Sequence, residues 1–427
     1  MKRRSFLKSA GASALGFPAI IPAHVLGADA PSNKITMGFI GVGGHGIGRN
    51  LNMFIKINDA RVLAVCDVYK DRQVKARDIV DKWYQQKGCA MVDDFQEILA
   101  RDDIDAVQIS TPDHWHVPMA LLALRAGKDV ICEKPTLTIR QGRVLSDEVK
   151  KRKAVFQVST EDRSVEIYHR MAELVRNGRI GKLQSIHVEL PAGHRYPHEE
   201  QIPVPDGLDY NMWLGPAPEA PFTKNRTAWM HWRHIWDYSG GLLTDWGAHQ
   251  LDTAQWANDT EHTGPISVKG KGTVNEGSMY NTFVDYDLEY TYANGVKMYV
   301  KSGGTSLKFI GSEGWVGNAG WRKPLEASSD AILKSVIGPE ETHLYTDIDG
   351  EHFNFIRCVK SRKDPYLPAE TGHRIATLMH MGNIAMRQGR PLNWDPEKEQ
   401  FVDDVEANKS ILMDRPLRAP WDKLVPM

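Results

Sequence analysis

The chain has 427 residues, 25% of them charged and 41% apolar, with a formal net charge of −1. That length accommodates two domains with full cores, and the composition is that of a soluble globular chain. A charge near zero leaves no electrostatic footprint for nucleic acid, and the longest apolar stretches are too short to cross a bilayer.

The first thirty residues, "MKRRSFLKSAGASALGFPAIIPAHVLGADA", read as an export segment: a basic start, a modestly apolar middle and small residues at the end. Arg3-Arg4-Ser5-Phe6-Leu7-Lys8 looks like the twin-arginine motif, which predicts export by that pathway to the periplasm or beyond. Cleavage falls after Ala30 or after Gly27. Loss of residues 1–30 removes four positive charges and one negative, leaving a mildly acidic chain of −4. Cys66, Cys89, Cys132 and Cys358 have no zinc-site spacing, so no metal centre is expected; they read as buried thiols, with a disulfide possible in an exported chain but not favoured.

From Lys34 to about Val158, short apolar runs alternate with amphipathic stretches: "KITMGFIGV", "RVLAVCDV", "CAMVDDF", "IDAVQISTP", "KDVICEKP" and "AVFQVST". Such alternation predicts a parallel, doubly wound sheet with ligands outside the carboxyl ends of its strands. The pattern then changes. A helix is expected over Ser164–Asn177, stopping at Gly178, followed by alternating strands. "NTFVDYDLEYTYANGVKMYVKSGG" reads as two long strands joined at a tight Asn294-Gly295 turn. "AETGHRIATLMHMGNIAMRQG" returns to helix. The predicted fold class is α/β. It comprises an export segment (1–30), a Rossmann domain (31–158) and an α+β domain on a mostly antiparallel sheet (159–427).

"GFIGVGGHGIGRN" carries Gly41-x-Gly43-x-x-Gly46 directly after the first strand, and Asp67 ends the second strand about twenty residues on. Gly41 permits the turn, Gly43 lets backbone approach a pyrophosphate, and Gly46 lets helix and strand pack closely. The helix start at His45, Gly46 and Ile47 offers N–H groups to phosphate. Asp67 accepts from the adenosine ribose and repels a 2′-phosphate, so NAD is the expected cofactor; Lys70 and Arg72 keep NADP open as the less favoured alternative.

"STPDHWH" and "CEKP" end the fourth and fifth strands and so face the same crevice, making Ser110, Thr111, Pro112, His114, His116, Glu133 and Lys134 candidates for cofactor contact. His114 and His116 more readily orient a loop than react. In "GGLLTDWGAHQLD", Asp245 and His249 stand four apart and share a helix face. The less favoured alternative for Asp245 is the N-cap of that helix. Arg163, after the sixth strand, and Trp232 and Trp236, in an aromatic segment that also holds Trp229, are candidates for substrate contact.

With its Gly motif, "TPDHWH", Glu133-Lys134-Pro135 and the Asp245/His249 pair, the chain resembles the Gfo/Idh/MocA oxidoreductases. The resemblance implies a large open sheet in the second domain, a carbohydrate substrate, and Lys134, His249 and Asp245 around the hydroxyl that is oxidised. His249 is the favoured proton acceptor and Lys134 the group holding the hydroxyl; the two roles can be exchanged. The family implies a dimer or tetramer. Oxidation at carbon 3 of a glucoside is expected from resemblance alone. Free NAD is scarce outside the cytoplasm, so the cofactor is expected to be tightly held and recycled internally. The alternative is an NAD-dependent glycoside hydrolase working through transient oxidation and elimination.

Overall fold

The computed structural model describes residues 33–426; the expected export segment lies outside them. Six short strands, β1 (Ile35–Ile40), β2 (Ala60–Cys66), β3 (Ala90–Val92), β4 (Ala106–Ile109), β5 (Asp129–Glu133) and β6 (Phe156–Ser159), form a sheet in the order β3-β2-β1-β4-β5-β6. Every pairing in it is parallel. β1 and β4 are buried along nearly their whole length because helices cover both faces. Helices Asp113–Arg125 and Ile139–Arg152 bury Val117, Leu121 and Leu145 on one face. On the other face Phe54, Ala76 and Val80 meet Met37, Phe39 and Val65. The strand order reverses between β1 and β4, which opens a crevice at their carboxyl ends.

Helix Glu351–Ser361 is an element the sequence analysis did not separate. It returns from the second half of the chain and seats Phe355, Ile356 and Val359 against that same face of the parallel sheet. Its apolar residues recur at helical spacing, but nothing local says which sheet they cover.

The second sheet has nine strands: β7 (Leu183–Leu190), β8 (Ser267–Val274), β9 (Phe283–Thr291), β10 (Lys297–Ser302), β11 (Leu307–Gly311), β12 (Trp315–Asn318), β13 (Leu325–Ala327), β14 (Leu392–Asp395) and β15 (Gln400–Phe401). Its order is β13-β12-β11-β7-β10-β9-β8-β14-β15, antiparallel except where β10 runs beside β7. Alternation explains its sidedness. Ile186, Val188, Leu288, Tyr290, Met298 and Val300 point into one core with helices Glu166–Arg176, Leu242–Ala257 and Ala369–Gln388. Lys269, Lys271, Asp285, Asp287 and Lys301 lie on the exposed face.

The β9–β10 turn falls at Asn294-Gly295 as expected, but its form differs. Only Gly295 takes a positive φ (+86°). Its N–H donates to the Tyr292 carbonyl (3.0 Å), and the Tyr292 N–H donates to the Val296 carbonyl (2.9 Å). This is a three-residue loop closed by one left-handed glycine, not a two-residue turn that would need Asn294 left-handed too.

Arg163 corrects an expectation. It does not reach the crevice; it is buried, with Nε and Nη2 on Asp252 (2.8 and 2.6 Å), Nη1 on Glu261 (2.7 Å) and Nη1 also on the Tyr366 carbonyl (3.0 Å). It ties the turn after β6 to helix Leu242–Ala257. Removing one partner of a buried charge cluster leaves the others uncompensated, so Arg163→Ala is expected to lose about 3–5 kcal/mol of stability, read as a shift in the denaturant midpoint.

Candidate active site

β1 runs into the glycine turn. Gly41 sits at φ +85°, and a Cβ there would stand 2.6 Å from the Ser110 carbonyl oxygen, so no other residue fits between β1 and β4. Gly43 and Gly44 face open space apart from the flexible end of Arg72, which leaves bare backbone toward the crevice. The segment Gly46–Leu51 is wound as π-helix, a form that recurs at functional sites. At the end of β2, Asp67 accepts from the Val42 N–H (2.8 Å) and the Tyr69 N–H (2.9 Å), one to each oxygen. A carboxylate oxygen accepts more than one bond, so both keep capacity for a ligand hydroxyl. Burial raises the Asp67 carboxyl above its ordinary value, opposed by Arg72, whose Nη1 lies 3.8 Å away, and by those two N–H groups.

At the ends of β4 and β5, Asn50 donates to Ser110 Oγ and to Glu133 Oε1, each at 2.8 Å. His45 Nε2 stands 3.2 Å from the same Glu133 oxygen. Burial alone would push the Glu133 carboxyl up, but hydrogen bonds from His45 and Asn50 and the charges of His45 and Lys134 hold it well below the usual carboxylate range. The bond to Glu133 raises His45 in turn, against its burial. His116 meets the Pro135 carbonyl with Nδ1 (2.9 Å) and the Thr111 carbonyl with Nε2 (2.8 Å), bracing the two turns against each other. The buried Thr111 hydroxyl has no hydrogen-bond partner among the described residues.

Across the crevice stands helix Leu242–Ala257. Its N-cap is Gly241, with no side-chain cap, so Asp245 is not the cap. The Asp245 carboxylate instead meets Lys134 Nζ (2.7 Å) and Arg233 Nε (3.1 Å), and Lys134 also donates to the Asp245 carbonyl (2.5 Å). Burial would raise Asp245; Lys134 and Arg233 outweigh it and keep the carboxyl ionised far below its ordinary value. One turn on, His249 places Nδ1 3.0 Å from Thr160 Oγ1 and 3.3 Å from Asp162 Oδ2. Its ring lies edge-on to Trp321 (5.2 Å).

These groups surround one cavity of about 500 Å³, lined at one end by Gly41, Gly43 and Asp67 and at the other by Lys134, Asp245, His249, Trp229, Trp232 and Trp321. Trp229 is 58% exposed. His45, Gly46, Ser110, Thr111, Pro112, His116 and Glu133 lie along the walls between. Three further expectations are corrected. Ile47 turns into the core, and its N–H is taken by the Gly43 carbonyl (2.9 Å). His114 is buried behind the wall with Nε2 on the Trp213 carbonyl (2.9 Å), and burial lowers it to about 3. Trp236 packs edge-on against Phe283 in the core of the second sheet, away from the lining.

The sequence analysis missed Asn50, Arg233, Trp321, Thr160 and Asp162. Thr160 and Asp162 carried a usable signal: they follow the carboxyl end of β6, the same position that marks Ser110 and Lys134. Trp321 has none, since it reaches the cavity from the loop between β12 and β13.

Residues 35–160 match the family model described as the oxidoreductase family, NAD-binding Rossmann fold, and residues 191–423 match that of the same family's C-terminal alpha/beta domain. The chain belongs to the Gfo/Idh/MocA oxidoreductase family. Curated relatives align over shorter stretches. A glycosyl hydrolase family 109 protein of Saccharopolyspora erythraea is 40% identical over 107 residues, 24% of this chain and 23% of that protein. An alpha-N-acetylgalactosaminidase of Shewanella oneidensis is 32% identical over 160 residues, 33% of this chain and 35% of that one. Among solved structures, the aldose–aldose oxidoreductase of Caulobacter crescentus, complexed with glycerol, has a TM-score of 0.63 at 17% identity, over 84% of this chain and 99% of that one. The WlbA dehydrogenase of Bordetella pertussis, in complex with NADH and UDP-GlcNAcA, has a TM-score of 0.61 at 16% identity, over 85% and 99%. At these identities the structures share the fold.

The site of this Gfo/Idh/MocA chain fits NAD on its own geometry. Bare backbone at Gly43 and Gly44 suits the pyrophosphate, Asp67 keeps acceptor capacity for a ribose, and the unpartnered Thr111 hydroxyl lies farther along the same wall. Asp67→Ala is expected to weaken NAD binding by about 1.5–3 kcal/mol, the range for hydrogen bonds to a charged group, measured by calorimetry on protein stripped of nicotinamide. The His45–Glu133 contact gives a pH signature. Because the folded-state value of His45 is raised, its stabilisation is complete below the free imidazole value of 6.5 and fades as pH rises through the raised value. Wild-type Tm is therefore expected to fall over that interval relative to His45→Gln, followed by differential scanning fluorimetry.

Proposed function

We propose that the chain oxidises a secondary hydroxyl of a sugar or glycoside seated between the glycine turn and helix Leu242–Ala257. The observation that carries this reading is the meeting, in one cavity with the dinucleotide turn, of the part-buried Lys134–Asp245 pair and the His249 ring. NAD, when bound, supplies the hydride acceptor. The chain supplies the rest. Lys134, fixed by Asp245 at 2.7 Å, donates to the hydroxyl oxygen and holds it in place. His249 takes the hydroxyl proton at Nε2, which makes no hydrogen bond among the described residues, while the carbon gives up its hydride and becomes a ketone. Trp229 and Trp321 offer flat apolar faces to a pyranose ring, while Arg233 stacks over the buried Trp232 ring (4.2 Å) and braces Asp245.

The protein keeps its NAD, and the redox cycle closes at the site. Support comes from the twin-arginine-like segment, which implies export away from the cytoplasmic nicotinamide pool. A second carbohydrate that is reduced would close the cycle, with carbon 3 of a glucoside as the position oxidised. Pairing of copies into a dimer or tetramer belongs to the same reading; the open face of the second sheet is charged, so contacts there would be polar.

A second reading is favoured by the curated relatives, which are glycosyl hydrolase family 109 proteins. In it the ketone is transient. It acidifies the neighbouring C–H, the aglycone leaves by elimination, water adds, and the ketone is reduced again. Both readings share the first step and the same residues.

One experiment separates them. Mass spectrometry of natively purified protein is expected to find retained nicotinamide. The protein is then incubated with nitrophenyl glycosides, including an α-N-acetylgalactosaminide. Accumulated keto-sugar supports oxidation; released phenol with no keto product supports hydrolysis. Lys134→Ala is expected to lower kcat by about 10²-fold or more on either path; unchanged turnover would place the chemistry elsewhere.

A further inference from the structure

The turn after β6 brings a buried carboxylate to the back of His249. Asp162 is fully buried, and among the described residues neither of its carboxylate oxygens meets a well-aligned donor. The nearest nitrogen of its ion-pair contact is His249 Nδ1, 3.3 Å from Oδ2, with Thr160 Oγ1 on the same ring nitrogen at 3.0 Å. A buried carboxylate without a donor is costly. A proton on Nδ1 relieves that cost and obliges Nε2 to carry the lone pair.

We propose that Asp162, with Thr160, is the positioning residue that holds His249 in the tautomer protonated at Nδ1, so that Nε2 is free to accept the substrate proton. The inference rests on the reading of His249 as proton acceptor and adds the group that makes its ring a one-sided base. Asp162 touches no substrate; it acts through the ring, as the carboxylate does in a nucleophile–His–Asp triad.

The surroundings support this. Burial raises the Asp162 carboxyl, and His249 is the largest influence opposing that rise. The charged groups around the ring are Asp162 and Glu161 from the turn after β6, Asp245 and Asp252 from its own helix, and Arg322 from the loop after β12. Two of them are spoken for: Asp245 by Lys134 and Arg233, and Asp252 by Arg163. Glu161 is held by Arg322 (2.7 Å) and Arg49 (3.3 Å). Asp162 alone of these carboxylates has no cationic side chain of its own. The donor atoms of Glu161, Asp162 and His249 lie within 4.8 Å of one another, close enough to hold a cation. The two arginines on Glu161 already occupy its oxygens, which favours the dyad over a metal.

The test reads the ring directly, without substrate. Heteronuclear NMR of histidine-labelled protein, with the His249 signals assigned against His249→Gln, is expected to show a protonated Nδ1 and an unprotonated Nε2 at neutral pH. In Asp162→Asn the Nε2-protonated form is expected to gain population. On a turned-over glycoside, Asp162→Asn is expected to lower kcat by roughly 10²-fold or more with KM little changed. Asp162→Glu should recover part of the rate, and Thr160→Val should shift the tautomer in the same direction more weakly. A wild-type ring protonated at Nε2 would overturn the proposal even if the Asp162 and Thr160 variants do not fold. So would an Asp162→Asn enzyme with unchanged tautomer, or EDTA-treated protein whose lost activity Zn²⁺ or Mn²⁺ restores. A protein with the expected tautomer and no activity on any glycoside would instead count against the functional reading.

Discussion

The contact on which the site depends is the part-buried ion pair between Lys134 and Asp245. The lysine ends the fifth strand of the parallel sheet, and the aspartate lies in the first turn of a helix that belongs to the second sheet. Each charge would be expensive to bury alone, and each is buried only because the other half of the molecule brings its partner. Arg233 adds a second cation to the same carboxylate. The pair joins the dinucleotide half of the cavity to the aromatic half and fixes the lysine beside the crevice.

Around it the polar groups are arranged in pairs that give each residue one free side. Asp67 uses one acceptor site per oxygen on backbone N–H groups. Glu133 is occupied by His45 and Asn50, which leaves Lys134 to Asp245. His249 is engaged at Nδ1 and open at Nε2. Such bracing keeps donors and acceptors in place before a ligand arrives, which is how a preorganised site differs from a collection of polar side chains.

The second half of the chain is not a separate lobe in energetic terms. Helix Glu351–Ser361 packs on the parallel sheet, its Glu351 pairs with Arg49, and His352 Nε2 meets Asn50 Oδ1 at 2.8 Å. Asn50 in turn holds Glu133. The glycine turn is thus buttressed from a point some three hundred residues further along the chain.

The sequence by itself determined what is local. Apolar runs bounded by glycine predicted the parallel strands, and strand ends located Gly41, Asp67, Ser110 and Lys134, because a parallel sheet must open its crevice there. Helical spacing put Asp245 and His249 on one face. Only the tertiary structure decided the partners. Arg163, next to a strand end, looked available but is consumed by Asp252 and Glu261, and Trp236 is consumed by Phe283. Arg233 and Trp321 gained roles they have no local sign of, and Asp162, marked only by its place after a strand end, gained its partner from a distant helix. The physical reason is that a side chain's tendency to be polar or aromatic is written in its own residue, whereas its free valence depends on which distant groups arrive to satisfy it.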